Sequence, residues 1–141
     1  MINAWLDGRC FNNISVVAVI MESNGYLFKR AFTCRKVTSN KAELKAMELV
    51  LLSVVEGWHD DLLVNSSGPY CVMMMEVNND GDWKRKAIVN VDLVQRIRNL
   101  SKNFKSVKVM RDLEDPTLIA LKTISNKLAK DPEIIYEKNW A

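Results

Sequence analysis

The sequence contains little glycine, proline and histidine, and it has no long apolar run. Five glycines and three prolines in 141 residues exclude a collagen-like or low-complexity chain and are typical of a packed domain. The apolar runs at residues 14–21 and 49–55 are far shorter than the roughly 20 residues of a membrane-spanning helix, so no membrane partner is expected. The N-terminal residues lack the pattern of a secretory signal, which predicts an intracellular, cytoplasmic protein.

Three cysteines and a single histidine limit the chemistry that the chain can perform. No two cysteines have the C-x-x-C spacing, and His59 has no second histidine with which to bind zinc. We therefore expect Cys10, Cys34 and Cys71 to be small buried hydrophobic residues. A catalytic site built on His59 has little support, and the net charge of +3 does not by itself indicate a nucleic-acid partner.

The order of predicted elements indicates an α/β domain. Extended segments at residues 1–8, 15–21 and 26–34 come first, and Glu22 to Gly25 form a hairpin turn between the last two. The remaining elements are helix 41–56, strand 62–64, helix 70–77, a helix over residues 91–100, strand 107–110 and a helix from Pro116 to about residue 130. This order predicts a mixed five-stranded sheet, with three antiparallel strands followed by parallel strands and helices on its faces, over residues 1–131, and a tail at 132–141.

Three motifs resemble those of type 1 ribonucleases H, the family that also supplies the nuclease domain of reverse transcriptases. Residues 6–10, Leu-Asp-Gly-Arg-Cys, are similar to the family's Asp-Gly-Ser-Cys at the end of its first strand. Residues 38–44, Thr-Ser-Asn-Lys-Ala-Glu-Leu, resemble its Thr-Asn-Asn-x-x-Glu-Leu at the start of the central helix. Residues 89–96 resemble the segment after its basic protrusion. The resemblance covers roughly residues 3 to 130 and implies a ribonuclease H-like fold and an RNA/DNA hybrid or a related duplex as the ligand.

The resemblance also implies a metal site, but an incomplete one. Hydrolysis by the two-metal route uses divalent cations, Mg²⁺ or Mn²⁺, and the family holds them with four acids. Asp7 and Glu43 match the first two and are the predicted metal ligands. Ser66 and Asn126 stand at the other two positions, where they supply oxygen atoms without charge. We therefore expect weakly held or absent metal and a catalytically impaired protein.

Acids after the last predicted strand offer a route to a rearranged metal site. Asp112, Glu114 and Asp115 lie near the expected place of the missing acid, and Asp112 is the candidate replacement ligand. In that alternative the chain is an active Mg²⁺-dependent ribonuclease H that cleaves the RNA strand of a hybrid. The competing hypothesis is that Glu114 and Asp115 cap the helix that Pro116 opens, because acids at a helix N-terminus interact favourably with its dipole.

Polar and basic residues predict a nucleic-acid interface beside the acids. Thr38, Ser39 and Asn40 resemble the family's polar cluster, which contacts the minor groove and backbone, and helix capping is their alternative role. Trp83 and the basic residues after it correspond to the family's protrusion, with a solvated loop as the alternative. The full set of predicted nucleic-acid-binding residues is Arg9, Asn12, Thr38, Ser39, Asn40, Trp83, Lys84, Arg85 and Lys86.

A third hypothesis is a protein interaction module on a nuclease scaffold. Adjacent methionines, Met73 to Met75, point to different faces of a helix, so at least one of them is expected to be exposed or to contact a partner. The tail contains four apolar residues, which pack either on the domain or on another protein.

Overall fold

A computed structural model describes residues 1–53, 60–75, 90–131 and 136–138. The strands are β1 Ile2–Cys10, β2 Ile14–Ser23, β3 Tyr26–Arg35, β4 Asp61–Ser66, β5 Ser106–Met110 and β6 Tyr136–Lys138. The helices are α1 Ser39–Ser53, α2 Tyr70–Met75, α3 Val91–Ser101 and α4 Pro116–Lys130. His59, Trp83, the basic residues 84–86 and most of the tail lie outside the described residues, so their predicted roles stay predictions.

The sheet has the strand order β5-β4-β1-β2-β3-β6. β1, β2 and β3 pair antiparallel, whereas β4 and β5 continue from β1 as parallel strands, which confirms the predicted mixed five-stranded sheet. The sixth strand was not predicted. It comes from the tail and pairs antiparallel with β3, with Lys29 opposite Lys138 and Ala31 opposite Tyr136. Three residues are too few to show the alternation by which a strand is recognised in a sequence.

β2 is apolar on both faces because helices cover both faces of the sheet. Val17, Val19 and Met21 belong to the larger core cluster, which α1 and α3 complete. The alternate residues Val16, Ala18 and Ile20 belong to a second cluster, built against α4. The turn after β2 contains Asn24 at φ 50° and Gly25 at φ 82°, both in the left-handed region that this hairpin requires. The continuous apolar run in the sequence therefore marks the centre of the fold.

The cap of α4 settles one of the two hypotheses about the acids before it. Asp115 precedes the helix, and its carboxylate accepts the backbone N–H groups of Thr117 and Leu118 at 2.8 and 3.2 Å. The capping hypothesis is confirmed for Asp115. Glu114 makes no such cap in the described residues, and its backbone N–H instead donates to Asp112 at 3.0 Å.

One expectation about buried sulfur residues needs correction, that for the cysteines. Cys71 is fully buried as expected, but Cys10 and Cys34 are only half-buried because they lie near strand ends. Met74 is a core residue, which excludes it as a contact for a partner protein, and Met73 is half-buried. None of the described helices is long and apolar enough to span a membrane.

Candidate functional site

Asp7 lies on β1, in the middle of the sheet, and its side chain is fully buried. Arg9, two residues further along the same strand, donates from Nε to Asp7 Oδ2 at 3.0 Å. The hydroxyl of Ser67 donates to Asp7 Oδ1 at 2.5 Å. Each oxygen of this carboxylate thus accepts a hydrogen bond from the protein, and the Arg9 guanidinium balances its charge.

Glu43 projects from α1 into the interior and is only 2% exposed. Its Oε1 accepts the backbone N–H of Tyr70 at 3.2 Å, while its Oε2 accepts the backbone N–H of Cys71 at 2.5 Å and the hydroxyl of Ser66 at 3.1 Å. Gly68 leaves room for this arrangement, since a Cβ atom at that position would overlap Oε1. Glu43 therefore holds the start of α2 against α1.

The turn from β4 to α2 connects the two carboxylates. β4 runs parallel to β1 with Ser66 opposite Leu6, and the N–H of Ser67 donates to the carbonyl of Leu6 at 3.0 Å. Ser66 then reaches Glu43 and Ser67 reaches Asp7. The structure thus brings together three of the predicted catalytic positions, Asp7, Glu43 and Ser66. Ser67 is a member that sequence reasoning missed, and its only signal was its place beside Ser66.

Asn126 and Asp112 are both exposed, whereas Asp7 and Glu43 are buried. Asn126 is exposed on α4 and lines an open cleft of about 890 Å³ together with Asn12, which is also exposed, and Lys36 and Lys130. Asp112 is exposed, and its carboxylate turns towards its own loop, where it accepts the N–H of Glu114. Its backbone N–H and carbonyl are both bound by the buried side chain of Asn65, at 2.9 and 3.2 Å.

The polar residues at the start of α1 are exposed, and Thr38 caps the helix. The hydroxyl of Thr38 accepts the N–H of Lys41 at 3.2 Å and so caps the helix. The hydroxyl of Ser39 accepts the N–H of Cys10 at 3.2 Å and joins the helix to the end of β1. All three residues of the cluster, Thr38 to Asn40, are exposed. The capping role of Thr38 is therefore compatible with contact to a ligand.

A groove between α1 and α3 contains basic residues that sequence reasoning missed. We call it the α1–α3 groove; its volume is about 390 Å³ and its lining is Lys41, Lys45, Glu48, Asn90, Val91, Asp92, Leu93 and Arg96. Arg96 pairs with Glu48 at 3.2 Å, so the remaining charged residues of the lining are Lys41, Lys45 and Asp92. The two lysines are spaced i, i+4 on α1, a spacing that places them on one helix face. Recognising the groove required knowing that α3 packs beside α1.

Asn90 gives this groove an unusual polar feature. It precedes α3 with φ 65°, and its side chain makes no capping bond to the helix. Its Nδ2 atom is buried and has no hydrogen-bond acceptor among the described residues. Leaving such a donor unpaired costs about 1–3 kcal/mol.

Cys71 allows a direct test of how closed the centre of the site is. Burial, and then the negative charge of Glu43, raise the pKa of this thiol well above its ordinary value. Because the thiolate is the reactive form, we expect Cys71 to resist alkylation in the native protein at about pH 8 and to react once urea unfolds it. Peptide mass spectrometry after treatment with N-ethylmaleimide measures this, and half-buried Cys10 serves as the reactive control. Rapid native labelling of Cys71 would show that the site opens readily.

Comparison with known proteins identifies the architecture. No protein-family model and no curated protein matches the sequence. Ribonuclease H1 from the halophilic archaeon Halobacterium salinarum NRC-1 matches the structure with a TM-score of 0.70 at 18% identity, over 92% of this chain and 98% of that chain. LC11-RNase H1, solved in complex with an RNA/DNA hybrid, matches with a TM-score of 0.69 at 15% identity, over 90% of this chain and 95% of that chain.

The chain has the ribonuclease H fold. A third similar structure is LC9-RNase H1, a type 1 ribonuclease H with the type 2 active-site motif, at a TM-score of 0.71 and 12% identity over 99% of this chain and 76% of that chain. At such identities the likeness concerns the fold, which confirms the predicted architecture, while residue roles depend on the site itself.

The residues of this ribonuclease H-like site do not fit a pair of divalent cations. Mg²⁺ requires oxygen ligands in near-ideal octahedral geometry, and neighbouring carboxylates must supply the charge that holds two cations together. Here all four oxygens of Asp7 and Glu43 already accept hydrogen bonds, and the Ser66 hydroxyl donates to Glu43. Within the described ranges no three His, Cys, Asp or Glu side chains are grouped as metal ligands.

Proposed function

We propose that this protein binds a nucleic-acid duplex, an RNA/DNA hybrid, and does not hydrolyse it. The ribonuclease H fold supports the first part, since LC11-RNase H1 shares the fold and was solved with such a hybrid. The engaged carboxylates support the second part, because a site that must hold two dications lacks the free negative charge to do so.

The α1–α3 groove at the start of α3 is the observation that carries this proposal. Asn90 and the first residues of α3 line it, and the first N–H groups of a helix have no intrahelical partners there. The helix dipole adds partial positive charge at the same end. A phosphate oxygen is an acceptor whose charge and geometry suit this group of donors.

Lys41 and Lys45 add charge along the same groove. Duplex binding depends mainly on lysine and arginine residues that neutralise phosphates and release condensed counterions. Asp92 opposes them in part, but the two lysines outnumber it once Arg96 and Glu48 have paired. Thr38 to Asn40 precede Lys41 directly and are exposed, so they supply polar contacts for the sugar edge, where a 2′-hydroxyl distinguishes RNA from DNA.

Removing the groove lysines should weaken hybrid binding and reduce its salt dependence. For Lys41→Ala/Lys45→Ala we expect at least about a tenfold loss of affinity and a log–log salt slope smaller by about 1–2 between roughly 50 and 200 mM salt. Fluorescence anisotropy with a labelled RNA/DNA hybrid measures both quantities. The matched control is Lys102→Ala/Lys105→Ala, at the opposite end of α3, which removes the same charge and should change affinity much less.

Asn90→Gly separates binding from stability. Glycine adopts the positive φ of this position easily and removes the unpaired amide, so the variant should be as stable as the parent or more stable while it binds the hybrid more weakly. Equal affinity of Asn90→Gly and the parent would contradict the assigned contact. Cleavage of the hybrid in Mg²⁺ or Mn²⁺, lost in Asp7→Asn, would contradict the absence of hydrolysis, and failure to bind any duplex would contradict the function as a whole.

A further inference from the structure

Arg9 makes three contacts that together place its guanidinium at the centre of the site. Its Nε donates to the buried Asp7 carboxylate, and its second terminal nitrogen donates to the backbone carbonyl of Lys122 in α4 at 2.9 Å. Its guanidinium carbon lies 5.3 Å from the centre of the Phe11 ring. The side chain is 29% exposed, whereas Asp7 is fully buried. Arg9 thus spans from the middle of the sheet to the helix that covers it.

We infer that Arg9 is the resident cation of this site and takes the place of divalent metal ions there. A buried carboxylate requires a compensating charge, and a guanidinium supplies one at every accessible pH. In the resembling Asp-Gly-Ser-Cys motif an uncharged serine stands at this position, whereas here Arg9 brings its own charge within hydrogen-bonding distance of the carboxylate. A dication beside Asp7 would be repelled by this guanidinium and would have to displace it.

The contact with α4 makes this cation part of the architecture. Lys122 is one turn before Asn126, so Arg9 holds the sheet to the helix that carries the last of the four family acid positions. Metal ions in a carboxylate site join secondary-structure elements in the same way, because their ligands come from more than one element. The inference deepens the proposed absence of hydrolysis. It does not depend on duplex binding in the α1–α3 groove, so the role of Arg9 and the binding of a duplex can each fail without the other.

A double-mutant cycle on Asp7 and Arg9 tests the charge compensation. Arg9→Met should lower the melting temperature by about 5–10 °C, because it leaves a buried charge without its partner. In the Asp7→Asn background the same replacement should lower the melting temperature much less, since no charge remains to compensate. The control is Arg30→Met, because Arg30 lies 5.4 Å from the Phe32 ring much as Arg9 lies over Phe11. Its effect should be equal in both backgrounds.

Restoring the family acids with and without Arg9 tests the exclusion of metal. Ser66→Asp/Asn126→Asp supplies the two missing carboxylates, and adding Arg9→Ser removes the guanidinium. With millimolar Mn²⁺ we expect a melting temperature shift of less than about 1 °C for the parent and for the two-acid variant, and a rise of several degrees for the three-residue variant. Circular dichroism without metal shows whether each variant is folded.

Two results would overturn the inference. One is stabilisation of the parent by several degrees in Mn²⁺ that disappears in Asp7→Asn, because the site would then hold metal despite Arg9. The other is that Arg9→Met lowers the melting temperature equally in the parent and in the Asp7→Asn background, which would show that Arg9 does not compensate the charge of Asp7. The second measurement requires no acid-restored variant, so it stands even if those variants fail to fold.

Discussion

Replacement of Glu43 by alanine is expected to destabilise the protein by at least about 3 kcal/mol. The substitution removes the acceptor of three buried donors, the Ser66 hydroxyl and the backbone N–H groups of Tyr70 and Cys71. Each unpaired buried donor costs about 1–3 kcal/mol, and the vacated volume adds a cavity cost. Urea denaturation followed by circular dichroism measures the change.

Two variants on α1 provide the comparison for Glu43. Glu48→Ala removes a carboxylate that is 24% exposed and pairs with the exposed Arg96, so we expect a change within about 1 kcal/mol. Glu43→Gln keeps the shape but turns one acceptor into a donor. Its loss of stability should therefore lie between the losses of the two alanine variants. A loss below about 1 kcal/mol in Glu43→Ala would contradict a structural role, because a carboxylate kept only as a metal ligand would be dispensable for folding.

Gly8→Ala is expected to have a comparable or larger effect, a loss of about 3 kcal/mol or more, or failure to fold. β1 approaches α1 so closely at Gly8 that an added Cβ would overlap backbone atoms of Ala42 and Glu43. Backbone cannot rotate away as a long side chain can, so the strand and the helix would have to separate. That separation would displace both Asp7 and Glu43.

The same replacement at Gly25 is the control. A Cβ at Gly25 meets no atom within 4 Å, but its φ of +82° disfavours alanine, so Gly25→Ala should cost only about 1 kcal/mol. Thermal and urea unfolding of both variants would separate a steric cost from a conformational one. Equal losses in the two variants would show that the strand and helix can adjust, and that the close approach at Gly8 is not essential.

The sequence predicted the fold well because its signals are local. The apolar run of β2, the Asn-Gly turn after it and the periodic apolar residues of α1 each lie within one stretch of chain. The strand β6 was missed since three residues carry no periodicity and its pairing with β3 joins segments about 100 residues apart.

The candidate site was only partly predictable. Asp7 and Glu43 stand in recognisable motifs, and the structure places both at the centre of the fold. The i, i+2 spacing of Asp7 and Arg9 places them on one face of β1. The contacts of Ser67 with Asp7 and of Arg9 with α4 instead join segments far apart in the sequence, which no local spacing encodes. The same holds for the α1–α3 groove, where Lys41 and Asn90 meet only after two helices have packed.

The division of the core between the two faces of β2 has a consequence for folding during synthesis. The first three strands pair with their neighbours in sequence, so the β1–β2–β3 meander can form as soon as it leaves the ribosome. One face of it is covered by α1, which follows directly. The other face, with Val16, Ala18 and Ile20, has to wait for α4, at residues 116–130. A nascent chain therefore exposes an apolar sheet surface until the residues of α4 have been made, and protection by chaperones matters most in that interval.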